Sequence, residues 1–324
     1  MKSELETQYS KISHTSTSSA ESSDRCRREE GSSERKSGEL VYGHVSMIGR
    51  RRVMEDAVTV APPGWLVGEY YFFAAYDGHG GDKVAQACGE RLHKCLEKHI
   101  EKAKKVPEEK LDWEKVMVEC FSSMDEEFGE NVSRDESEQM EAERKMGSTA
   151  VVVLVGKEEV VVANCGDSRA VLCRGGVALP LSSDHKPDRA DERERIEAIG
   201  GKIINWNGWR VEGVLSTSRS LGDHYLKPYV TSEPEVKISR RSEYDEFIII
   251  ATDGLFDVVG NGVACEVVKR CLTRQRRRYK KSGASEAAAM LDEIKKVVFE
   301  IDANGSGVRI GFQRFTTTVV GIYH

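Results

Sequence analysis

Three short stretches place an acid beside glycine where an apolar run ends. Tyr70–Tyr76 runs into Asp77-Gly78-His79-Gly80-Gly81, Phe247–Thr252 runs into Asp253-Gly254, and Val160–Cys165 ends in Gly166-Asp167. A carboxylate at the end of a buried strand is costly unless it is paired or bound to a cation. Three of them predict strand ends that converge on shared positive charge. Glycine beside the acid lets a carbonyl or a water approach an ion closely. Hard oxygen donors without clustered His or Cys suit Mg2+ or Mn2+, not zinc. A pair of such ions polarises a phosphoryl group and generates hydroxide near neutral pH.

A further acidic pair, Glu55-Asp56, closes the run Arg50-Arg51-Arg52-Val53-Met54-Glu55-Asp56. In an extended backbone, alternation puts Arg51, Val53 and Glu55 on one face. Arg51 could then grip phosphate with its fork while Glu55 serves a metal. A surface ion pair is the other reading. No GxSxG elbow and no Walker loop supplies a different chemistry. Cys271 and Arg277 have Cys-x5-Arg spacing but lack glycines that would present N–H groups to phosphate. They also fall where a helix is expected to run into a basic loop, which disfavours a cysteine phosphatase.

The elements that must position these acids are readable from periodicity. Strands are expected at 41–48, 70–76, 150–155, 160–164, 170–173, 235–238, 247–251 and 316–322, where Val, Ile, Tyr and Phe dominate. Helices are expected at 81–102, 111–128, 187–199, 258–272 and 285–299; Leu92, Leu96 and Ile100 show the spacing. Segments 103–110 and 129–146 read as charged loops. Consecutive strands joined by tight turns predict antiparallel sheets covered by helices, not alternating βαβ units. The basic run Arg274–Lys281 reads either as a nuclear-import or anionic docking patch, or as solvated loop charge.

Composition narrows the function classes. The chain has 324 residues, and its 48 Lys+Arg against 54 Asp+Glu leave a net charge of −6. That is long enough for one large core and too acidic for a general nucleic-acid binder. No run approaches a membrane span, and Met1–Ser10 carries no apolar signal core. Eight scattered cysteines without a CxxC pair predict reduced thiols in the cytosol or nucleus. Residues 1–40 are serine-rich with few large apolar side chains, so they read as a disordered tail, either regulatory or simply solvated. The remainder, 41–324, reads as one domain.

The strings RRRVMEDA, YDGHGG, GSTAVVVLV, NCGDSRAVLCR, DHKPDR, SRSLGD and IIIATDGLFDV, in that order, resemble the motifs of the metal-dependent protein phosphatase 2C family over about residues 40–272. The resemblance implies an α+β fold, a four-layer α-β-β-α sandwich of two antiparallel sheets flanked by helices. It implies a serine/threonine phosphatase with two Mg2+ or Mn2+ ions and a weaker third. On matching positions, Asp77 resembles the carboxylate that bridges both ions. The Gly78 carbonyl and Glu55 would serve one ion and Asp253 the other. Asp56 would orient water, Arg51 would hold the phosphate, and His79 resembles the general acid. Asp167 and Asp257 resemble ligands of the third ion; for Asp167 a turn cap is the alternative.

The segment from Asn205 to Leu215, followed by SRSLGDHYLKPYV, resembles the plant group that acts as co-receptors for abscisic acid. There a flap tryptophan inserts into the hormone-bound receptor, and Trp206 matches it. An aromatic next to Asn-Gly in a polar loop suits an interface anchor; packing of Trp206 or Trp209 on the flap itself is the alternative. The resemblance implies protein kinases among the phosphoprotein substrates, a monomer, no membrane or nucleic-acid partner, and a place in nucleus and cytoplasm.

One position departs from the pattern. The family's last strand follows an Asp-Asn pair whose Asp is a metal ligand, but Arg314 or Phe315 stands near that place and Asp302 lies upstream. An arginine beside divalent ions would be repulsive. Three readings compete: Asp302 reaching in from a rearranged loop, an atypical end, or a weak phosphatase that serves as a receptor- or kinase-binding scaffold. The stretch from Asp302 also mimics the start of an EF-hand, but Gln313 stands where the bidentate Glu belongs, which disfavours calcium.

Overall fold

In a computed structural model of the chain, residues 40–47, 51–61, 70–105, 111–131, 143–282 and 317–323 are described. In chain order the elements are β1 (Val41–Met47), β2 (Ala57–Ala61), β3 (Tyr71–Tyr76), β4 (Gly78–His79), α1 (Lys83–Ala103), α2 (Trp113–Asn131), β5 (Gly147–Ser148), β6 (Ala150–Val155), β7 (Glu159–Cys165), β8 (Arg169–Arg174) and β9 (Val177–Pro180). Then follow α3 (Ala190–Ala198), β10 (Ile203–Asn205), β11 (Trp209–Val211), β12 (Leu221–Gly222), β13 (Glu235–Arg240), β14 (Asp245–Ala251), α4 (Asp253–Phe256), α5 (Asn261–Ser282) and β15 (Thr317–Tyr323).

One five-stranded sheet has the order β13-β7-β6-β3-β2 and the other β1-β15-β14-β8-β9. All pairings in both are antiparallel. The central strands read as continuous apolar runs because they are buried on both faces. In β3, Phe73 and Ala75 fill the space between the sheets with Val151, Val153, Leu172 and Ile250. Phe72, Ala74 and Tyr76 face outward onto α1 and α2, against Leu92, Leu96, Met117 and Phe121. The outer face of the second sheet, including Val171, Phe247 and Ile249, packs against Ala264, Val267 and Val268 of α5. Phe72 and Phe73 are fully buried, and each such side chain contributes roughly 1.5–3 kcal/mol. The result is the four-layer α-β-β-α sandwich, an α+β fold.

Several elements depart from the expectations. β2 pairs with β3 in the register Ala57↔Tyr76, although its small residues after a charged run carry little strand signal. β9 was equally silent; it pairs with β8 beside a Gly175-Gly176 turn. α2 extends to Asn131, inside a stretch expected to be loop. α5 continues through Ser282, so the backbone of Arg274–Lys281 is helical rather than a loop. Cys271 and Arg277 therefore share one continuous helix, and no phosphate-cradling loop separates them. Lys and Arg are good helix formers, and the apolar spacing ends before the helix does. β15 agrees with expectation and enters its sheet between β1 and β14. The expected tail, the helix at 285–299, Asp302, Gln313, Arg314 and Phe315 lie outside the described residues.

Candidate active site

The acids meet at one rim of the sandwich because β3 and β14, in opposing sheets, end there. Asp77 follows β3, and Asp253 opens α4 directly after β14 and Thr252. The two carboxyl groups lie within interacting distance of each other. Burial holds the Asp77 carboxyl well above the usual range, and the charges of Asp253, Asp56 and Asp167 push it further. Asp253 is raised by burial, then by Asp167 and Asp257. Like charges gathered in a dry site cannot all ionise without a counter-charge. Asp257 is raised for the same reason and is more exposed.

Hydroxyl groups tie the motifs together. The Asp77 N–H donates to Thr149 Oγ1 at 3.2 Å, and Thr149 Oγ1 lies 2.7 Å from Ser168 Oγ. Thr252 Oγ1 donates to Asp56 Oδ2 at 3.1 Å, which anchors the buried Asp56 beside Asp253. Arg169 forks onto Asp184 at 2.8 and 2.6 Å and donates to Asn261 at 2.8 Å. The Gly166 N–H donates to His185 Nδ1 at 3.1 Å, holding the loop that carries Asp167.

Arg51 and Glu55 come together at 3.6 Å, but not through the alternation expected. Residues 51–56 form no strand; bends at Arg52 and Val53 turn the chain. The Glu55 carbonyl then approaches Gly78 so closely that a Cβ there would overlap it. Glycine at Gly78 is thus a packing requirement.

Among the described residues, no three His, Cys, Asp or Glu side chains are already closed around a common point. Internal partners hold them instead. Lys186 Nζ sits 2.6 Å from Asp167 and 3.6 Å from Asp257, so an ammonium bridges the pair expected to serve a third ion. The string DHKPDR around Lys186 carries no local sign of this role. The donor set nevertheless suits hard divalent ions: oxygen ligands, buried, with an excess of negative charge that Lys186 alone cannot neutralise.

His79 ends β4, in a small sheet of order β12-β5-β4. Its Nε2 lies 2.7 Å from Oδ2 of the fully buried Asp223. Burial would lower the His79 pKa, but the hydrogen bond to Asp223 and its charge outweigh burial and raise it. Asp223 closes the string SRSLGD, in which nothing marks it as a partner of His79. Nothing local announces that this string pairs with Gly147-Ser148.

The flap lies between α3 and β12 in chain order. Asn205 pairs with Trp209 in the β10–β11 hairpin, and Asn207 and Gly208 take positive φ at its tip. Trp206 is 75% exposed. Trp209 packs under Arg193, with the guanidinium 4.6 Å from the ring. Trp209 is therefore held against α3 rather than on the flap itself, while Trp206 is left exposed.

Residues 40–295 match the family model for protein phosphatase 2C. The chain belongs to that family. It is accordingly a hydrolase of the serine/threonine phosphoprotein phosphatase class, in which metal dependence is general. It is 49% identical over 286 residues to "Probable protein phosphatase 2C 8" of Oryza sativa subsp. japonica, covering 78% of this chain and 70% of that protein. It is 47% identical over 265 residues to "Protein phosphatase 2C 3" of Arabidopsis thaliana, covering 78% of this chain and 59% of that one. A crystal structure of serine-threonine phosphatase 2C from Toxoplasma gondii superposes with a TM-score of 0.69 at 21% identity. It covers 88% of this chain and 94% of that one, which shows the shared fold.

Proposed function

We propose that this member of the protein phosphatase 2C family hydrolyses phosphoserine and phosphothreonine in proteins with Mg2+ or Mn2+. The observation that carries the reading is the meeting of Asp77 and Asp253 from opposing sheets, with Asp56 and Asp167 within electrostatic reach. Asp77, Glu55, the Gly78 carbonyl and Asp253 would hold two ions, and Asp167 with Asp257 a third in place of Lys186. Such ions supply positive charge to the phosphoryl oxygens and make water nucleophilic near neutral pH. Asp56, buried and anchored by Thr252, orients the attacking water. Arg51, half exposed at the rim, grips the phosphate with paired N–H donors. His79 hands a proton to the departing Ser or Thr oxygen. Purified protein with Mn2+ and a phosphothreonine peptide tests this. Release of phosphate, with heat from Mn2+ binding in calorimetry, supports it. No ion binding and no turnover would leave the chain a scaffold of the same fold.

The finer reading is negative regulation of abscisic acid signalling, with protein kinases as substrates and the hormone-bound receptor as inhibitor. Nucleus and cytoplasm would be the compartments. The exposure of Trp206 at a two-stranded tip supports it, since large exposed aromatics anchor interfaces. Trp206→Ala is expected to weaken capture of hormone-bound receptor by about 2 kcal/mol, roughly 30-fold in Kd. An unchanged binding isotherm overturns the assignment.

A further inference from the structure

The His79 ring is held by a group from a distant segment. The holding group, Asp223, is itself fixed from several sides. Ser220 Oγ donates to its Oδ2 at 2.5 Å, the oxygen that also faces His79. Its backbone N–H donates to the Met146 carbonyl at 3.0 Å. The preceding Gly222 N–H donates to Asp125 Oδ1 at 2.8 Å, and Lys227 Nζ sits 2.9 Å from Asp125 Oδ2. Thus α2 braces the loop from below. Asp223 adopts φ 48, a left-handed conformation that Asp and Asn tolerate better than other side chains.

Gly147 completes the arrangement. A Cβ there would fall inside the Asp223 carboxylate and 2.5 Å from His79 Nε2. The carboxylate and the ring therefore meet across a gap that only glycine leaves open. The short strands β4, β5 and β12 exist in a register that produces this contact: His79 opposes Gly147, and Gly147 opposes Gly222.

From this geometry we infer that Asp223 is a positioning residue for proton donation by His79, an inference that rests on the phosphatase reading above. Asp223 Oδ2 accepts from Ser220 and faces His79 as an acceptor, so Nε2 carries its hydrogen toward Asp223. Proton transfer to the substrate then falls to Nδ1. As the phosphorus–oxygen bond to Ser or Thr breaks and the bond to water oxygen forms, the Nδ1 proton passes to the leaving oxygen. The water's proton goes to solvent, and solvent later returns one to His79. Asp223 keeps Nε2–H throughout. It fixes the tautomer and the ring plane, the role a buried carboxylate plays behind other catalytic histidines.

The test uses leaving groups. An alkoxide from phosphothreonine needs a proton to depart, whereas p-nitrophenolate leaves readily as the anion. With the full chain and Mn2+, kcat is measured on a phosphothreonine peptide and on p-nitrophenyl phosphate. Asp223→Asn keeps shape and backbone preference, so it is the first variant. The expected result is a loss of about 10–100-fold in kcat on the peptide, less than about threefold on p-nitrophenyl phosphate, and little change in KM. His79→Gln should show the same selectivity, and the double variant should be no worse than His79→Gln alone. Ser220→Ala, which leaves Asp223 in place, should show a smaller shift in the same direction. Equal losses on both substrates by Asp223→Asn would reduce Asp223 to a structural residue and overturn the inference. If His79→Gln itself shows no leaving-group selectivity, the proton-donor reading of His79 fails first.

Discussion

Asp77→Asn is expected to abolish Mn2+-dependent phosphatase activity while making the metal-free protein harder to unfold. The two effects have one cause. Asp77 and Asp253 crowd negative charge into a dry rim, and each raises the cost of ionising the other. Without ions that repulsion opposes folding, so a neutral amide relieves it. With ions the same charge is the binding energy. Loss of a residue that merely supports a metal ligand costs about 10–100-fold, so loss of a bridging ligand should cost at least about 100-fold in kcat/KM. Saturating Mn2+ at about 100 times its Kd should stabilise the wild type by about 2.7 kcal/mol and the variant by almost nothing. Thermal melts with and without Mn2+ read both effects. A variant that is less stable than wild type without metal, or that retains turnover, would contradict this account of the rim.

Glu192→Gln is expected to carry the largest stability cost outside the site. Glu192 on α3 has a side chain only 1% exposed and receives the Arg219 guanidinium at 2.6 Å, Arg195 at 2.9 Å and Ser218 Oγ at 2.6 Å. Burial alone would raise its pKa, but Arg219, Arg195 and Ser218 together draw it down from 4.5 to about 2. Breaking one partner of such a buried cluster costs about 3 kcal/mol or more, which lowers Tm by roughly 5–10 °C in a chain of this size. The pH dependence has a definite sign. The folded pKa lies below the unfolded one, so the stabilisation is complete above pH 4.5 and disappears as pH falls toward about 2. Wild type and Glu192→Gln should therefore differ most at neutral pH and converge in acid. Parallel melting curves from pH 7 to pH 2 would refute the assignment. Because Ser218 and Arg219 lead directly into Ser220 and Asp223, part of this loss should also appear at His79.

The sequence was a good guide where information is local. An apolar strand that stops at Asp-Gly announces itself, because burial penalises charge whatever the fold around it. That logic picked out Asp77, Asp253 and Asp167 and predicted their convergence, and the ordered strings around them were enough to indicate the two-sheet sandwich. Periodicity found β3, β6, β7 and β14 because strands buried on both faces must be apolar throughout. It overlooked β2, whose pairing depends on β3 rather than on its own small residues. It also ended α5 too early, because a helix can outlast the apolar face that reveals it.

What the tertiary structure alone decided is which cation and which carboxylate stand behind each site residue. Lys186 lies between Asp167 and Asp257, and Asp223 stands behind His79, only because chain segments distant in sequence fold onto one another. Hydrogen bonds and ion pairs act over a few ångströms and carry no trace in composition or period. The amino-acid string determines which groups need a partner, and the packed sheets determine who that partner is.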